Sequence, residues 1–163
     1  MKTDYFSKEA MRKKMEEILE MARGNLQQSG YLMPVVILLK EDENNLNADL
    51  VQLDYRDETH KRATTTALKV KMAMDNVDGY IMITEAWMGV LEKGEVIRVR
   101  PSENPDRQEG ICIAGATPLL SLSLTQIFHR AENGNGPKFE FEEESFAERT
   151  DSIFYPEHWK NKN

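Results

Sequence analysis

The chain contains one cysteine, Cys112, in 163 residues, which excludes an internal disulfide. Set in the apolar stretch ICIAG, that cysteine reads as a small core residue, and with no second thiol a redox role has no support. No apolar run approaches the roughly eighteen residues of a membrane helix. The N-terminal stretch MKTDYFSKEAMRKK lacks the apolar segment of a signal peptide, so the expectation is a cytoplasmic protein with no membrane association. A basic excess is missing as well. The formal charge of −7 argues against general nucleic-acid binding, because phosphate affinity comes mostly from concentrated lysine and arginine. Catalytic motifs are also lacking: there is no G-x-x-x-x-G-K-S/T loop, no G-x-G-x-x-G after a strand, no H-E-x-x-H and no G-x-S-x-G elbow. His129 and His158 stand far apart in sequence, neither in a ligand-spaced pair, so neither a metal nor a cofactor is expected.

What is present is ordinary globular usage, 40% apolar and 30% charged, in a length that fits one domain with a single core. From Ser7 to about Gln28 the apolar residues Met11, Met15, Ile18, Ala22 and Leu26 recur at steps of four, three, four and four. With Leu19 they share an arc of about 100°, the buried stripe of an amphipathic helix. Ser7 is the expected N-cap, and Ser29-Gly30 marks the exit. MPVVILLK follows, apolar at both parities, and reads as a strand covered on both faces, with Pro34 confined to its start or to an edge. EDENN then supplies a turn, and LNADLVQL completes a hairpin.

A second helix is expected from about Glu58 to Asn76, with Ala63, Ala67, Val70, Met74 and Val77 as the stripe that lies on a sheet. Leu68 and Met72 fall opposite that stripe and would need cover from the first helix or from a partner. After Asp78-Gly79 come five strand-like segments: YIMITEAWMGV, EVIRVR, GICIAG, LLSLSLTQIFHR and KFEFE. EEE at 142–144 reads as a solvated strand end. The stretch 145–163 carries Phe146, Ile153, Phe154, Tyr155 and Trp159, too many aromatics for a free end. It is expected to dock as a tail on the 1–144 domain or on a neighbouring subunit.

The fold class is therefore α+β in a single domain, ordered α-β-β-α and then an antiparallel meander, with about six to seven strands in one sheet and two helices packed on it. That order resembles the roadblock or profilin-like group of small α+β domains, a likeness of topology that many unrelated functions share. The segments TEAWMGV and RPSENPDRQEG resemble a set of small uncharacterised bacterial or phage proteins, a likeness that implies no function.

Three clusters stand out as candidate sites. In RPSENPDRQEG, residues 100–110, Pro101 and Pro105 fix the backbone while Ser102, Asn104 and Asp106 bond their own turns, which describes a tied corner. The functional reading of the same region has Arg98, Arg100 and Arg107 converging on a carboxylate or phosphate. Glu85 shares a strand face with Ile83 and Trp87, where an apolar setting would raise its pKa and suit acid-base work; the plainer reading pairs it with Arg98 or Arg100. DYRDETH gathers Asp54, Asp57, Glu58 and His60, oxygen ligands and an imidazole on a metal reading, but a helix cap at Asp57 or Thr59 on the preferred one.

Function is left among three classes. The leading one is a non-enzymatic protein-interaction module or homodimer, with Leu68, Met72, Phe154 and Trp159 as the expected interface. The second is a small-ligand or anion-binding sensor with Trp87 as a pocket wall and Arg100 or Arg107 as the anchor. The third is an enzyme of unrecognised type using Glu85 and the Arg98, Arg100 and Arg107 group.

Overall fold

A computed structural model describes residues 4–88, 108–133 and 136–161 of the chain. Two helices, α1 (Lys8–Ser29) and α2 (Glu58–Met74), accompany seven strands: β1 (Val35–Asp42), β2 (Asn45–Gln52), β3 (Gly79–Met88), β4 (Gln108–Ala116), β5 (Ser121–Asn133), β6 (Gly136–Phe141) and β7 (Ser145–Glu148). The strands form one antiparallel sheet in the order β2-β1-β3-β4-β5-β6, with β7 beside the first half of β5. The protein is thus α+β, with the element order that hydrophobic periodicity predicts. The predicted strand EVIRVR, at 95–100, lies outside the described residues, whereas 145–148 pairs into the sheet as β7.

Both ends of α1 are set by local chemistry. The Ser7 hydroxyl accepts from the Ala10 N–H at 3.1 Å, and Gly30, at φ +81°, donates its N–H to the Leu26 carbonyl at 2.8 Å. Its buried stripe is Met11, Met15, Leu19, Ala22 and Leu26, lying on Ile81, Ile83, Ile111, Ile113, Leu122 and Leu124. Gly115 leaves room for the Met15 side chain, since a Cβ there would stand 2.8 Å from the Met15 sulfur.

The opposite face of the sheet carries α2. Val36, Leu38, Tyr80 and Met82 turn to that side, while Ile81 and Ile83 turn to α1. This is why MPVVILLK is apolar at both parities: β1 lies between β2 and β3, and each face has its own core. The β1–β2 turn places Glu43 and Asn44 at φ +47° and +86°, a two-residue primed turn whose twist matches the strands.

Within α2 the side that packs is the reverse of the predicted one, while Val77, the last residue of the predicted stripe and just past the end of α2, is buried as expected. Leu68 and Met72 are buried against the sheet, and Ala63, Ala67, Val70 and Met74 face outward. Two large side chains one turn apart bury more apolar area than two alanines, and aromatics from the end of the chain fill the space around them. Phe154 and Trp159 enter this second core, the latter from a short 3-10 helix, Glu157–Asn161. The Trp159 indole N–H donates to the Val77 carbonyl at 2.8 Å. The tail thus docks on its own chain.

Candidate functional site

The sequence candidates do not assemble into one centre. Arg98, Arg100 and Arg107 lie outside the described residues, as does the corner up to residue 107. Trp87 stands exposed near the end of β3, opposite Glu109 in the sheet register. Glu85 accepts from the Leu32 N–H at 3.0 Å and lies 3.6 Å from the Arg130 guanidinium. Burial raises its carboxyl pKa, while the Leu32 N–H and the Arg130 charge pull it back down. Arg130 is the residue that sequence reasoning missed. Its guanidinium also donates to Glu109 and to the Gly30 carbonyl, both at 2.7 Å, and lies over the rings of Phe128 and Phe139. The β3–β4–β5 register brings it there from 45 residues beyond Glu85, a separation that no local pattern reveals. The group ties the exit of α1 to the sheet and engages the Glu85 carboxylate from two sides, through the Leu32 N–H and the Arg130 guanidinium.

DYRDETH is a helix start. Asp57 caps α2 by accepting from the His60 N–H at 2.8 Å, and its other carboxylate oxygen meets His60 Nδ1 at 2.7 Å. The hydrogen bond from Arg56 lowers the Asp54 carboxyl pKa to about 2. Among the described residues no three His, Cys, Asp or Glu side chains converge as metal ligands. Cys112 sits in β4, where burial pushes its thiol pKa up to about 11, away from nucleophilic use. His129 pairs with Glu142 at 2.9 Å, and His158 lies against the Val77 carbonyl.

Leu68, Met72, Phe154 and Trp159, the expected interface, are 0–4% exposed within the single chain and present no surface to a partner while the tail is docked. Other apolar side chains are exposed, Val70 and Met74 on the outer side of α2 among them, and one group of them borders a groove. Met21 on α1, Tyr31 and Met33 in the linker, and Leu50 on β2 are 43–68% exposed. They surround a groove of about 310 Å³ between α1 and the hairpin, floored by Val35, Ile37 and Ile83 and lined by uncharged residues.

The rim of that groove continues into the outer edge of β2, which pairs only with β1 among the described residues. The Leu53 N–H donates to the Pro34 carbonyl at 2.9 Å, one step beyond the Val35–Gln52 pair. Hydrogen-bonded pairs therefore alternate from Leu53 back through Val51, Asp49, Asn47 and Asn45. The backbone N–H and C=O groups of Leu46, Ala48, Leu50 and Gln52 consequently turn outward. Natural edges are usually protected by lysine, proline, a bulge or a very short strand. Here NLNADLVQ pairs continuously over eight residues and holds one charge, Asp49, already engaged by Lys71 at 3.0 Å.

Known proteins supply a family. No curated protein and no solved structure matches the chain, so the likeness to roadblock and profilin-like domains rests on element order alone. The family model described as bacteriophage lambda protein ea47 matches residues 2–135, well over half of the chain and the whole span from α1 through β5. The chain belongs to this phage lambda Ea47 family.

Proposed function

We propose that the protein is a non-enzymatic interaction module that self-associates through the open edge of its sheet. The observation that carries this reading is the outer side of β2, a continuous eight-residue edge with outward backbone donors and acceptors beside the exposed Leu50, Met33 and Tyr31. Strand addition at such an edge satisfies backbone groups that otherwise depend on water, and it buries the apolar rim in the same step. The engagement of Glu85 by Leu32 and Arg130 speaks for a structural carboxylate over a catalytic one.

Native mass spectrometry of the freshly purified full chain tests this reading. A dimer without extra mass is the expected spectrum, and a monomer at micromolar concentration overturns it. The groove supports a second reading, a sensor for a neutral, mostly apolar small molecule, because its volume is at the lower end of small-molecule sites and its lining carries no charge. A monomer that retains a small-molecule adduct is the outcome that would favour the sensor.

A further inference from the structure

The β2 sequence distinguishes among the ways in which two copies could pair. We infer that the second copy adds antiparallel to β2 about a two-fold axis passing beside Ala48, so that the two sheets become one; this rests on the self-association reading above. The residues with outward backbone groups are Leu46, Ala48, Leu50 and Gln52, so hydrogen-bonded pairs across the edge must join members of this set. A two-fold beside Ala48 places Ala48 opposite Ala48 of the partner subunit, and Leu46 opposite Leu50 of the partner subunit, twice over. On the other face Asn47 meets Asp49 of the partner subunit, an amide donor against a carboxylate.

The neighbouring registers are worse for stated reasons. An axis beside Asp49 sets two carboxylates directly opposite each other, which cross-strand pairing disfavours. An axis beside Leu50 keeps one leucine pair, Leu50 with Leu50 of the partner subunit, but sets Leu46 opposite Asp54, beyond the end of β2 at Gln52, and shortens the paired stretch to residues 48–52. An axis beside Asn47 sets Leu50 opposite Asn44 in the turn. The Ala48 axis keeps seven residues of each strand, 45–51, in register, pairs both leucines on the α1 face and sets no like charges opposite each other.

Small side chains at the axis also keep the strands free to close. Ala48 is exposed and lies on the α1 face, the same side as Leu50 and the groove rim. The paired leucines thus extend the apolar surface of Met33 and Tyr31 across the junction.

Cysteine trapping in the full chain tests the register, with the unsubstituted protein, whose half-buried Cys112 is its one thiol, as control. Ala48→Cys brings two Cα atoms to about 5.5 Å in an H-bonded pair, within disulfide reach. Leu50→Cys leaves its two copies about 14 Å apart, beyond it. The expected result is a covalent dimer for Ala48→Cys under mild oxidation and none for Leu50→Cys. Ala48→Lys, which opposes two ammonium groups at the axis, is expected to give a folded monomer with an unchanged circular dichroism spectrum. A native dimer in which Leu50→Cys is trapped instead, or in which Ala48→Lys still dimerises, overturns the β2 register but leaves self-association standing. A monomeric unsubstituted protein overturns both.

Discussion

Tyr80 joins the sheet to the end of the chain through a single hydroxyl. That hydroxyl accepts from the Phe154 N–H and donates to the Phe154 carbonyl, each at 2.9 Å, while the ring stacks on Trp159 at 5.9 Å. Tyr80→Phe removes both bonds and leaves two buried backbone groups unpaired, so a loss of about 1–3 kcal/mol is expected in urea denaturation. Burial also pushes the Tyr80 pKa up to about 12. Below pH 10 both folded and unfolded states hold the proton. Between pH 10 and 12 the unfolded chain releases it and the native one does not, so stability falls as pH rises through that window. Cys112, pushed up to about 11 by burial, acts in the same direction from about pH 9. Denaturation midpoints across this range check the sign: a flat profile would mean that neither group is held as buried and neutral as the structure has it.

At the scale of elements, the tail is a structural part of the α2 face. Phe154 and Trp159 sit with Leu68, Met72, Val77 and Tyr80 in one core, and the T-shaped contact of Tyr155 with Trp159 covers the outer side. Trp159→Ala leaves a cavity beside α2 and is expected to cost about 3–5 kcal/mol. Truncation after Glu144 removes β7 as well as this plug, and uncovers Leu68 and Met72. Loss of cooperative melting with aggregation is the expected outcome, and a shortened chain that melts as sharply as the full one would contradict the packing described. The β1–β2 turn offers a smaller effect of opposite sign. Glu43 holds φ +47°, a conformation that asparagine tolerates better, so Glu43→Asn is expected to stabilise by about 0.5 kcal/mol.

For the whole molecule, self-association couples stability to concentration. If two copies join through β2, the melting temperature rises with protein concentration by mass action, and Ala48→Lys removes that dependence. A melting temperature independent of concentration across a hundredfold range would count against the dimer. The family match spans both helices and the first five strands, so β2 and its outward edge belong to the shared part of the chain, while Phe154 and Trp159 lie beyond it.

The features legible in the sequence are those decided by near neighbours. Ser7 and Gly30 bound α1 because a cap needs only the adjacent turn, Asp57 opens α2 for the same reason, and β1 declares two covered faces by its apolar parity. Long-range packing decided the rest. Leu68 and Met72 turn inward because the sheet and Trp159, about ninety residues later in the chain, offer them a larger apolar surface than the alanine side would fill. Glu85 pairs with Arg130 because two strand registers in succession bring β5 across β4 to β3. The open edge of β2 is likewise a property of strand order, which periodicity along a single strand does not contain.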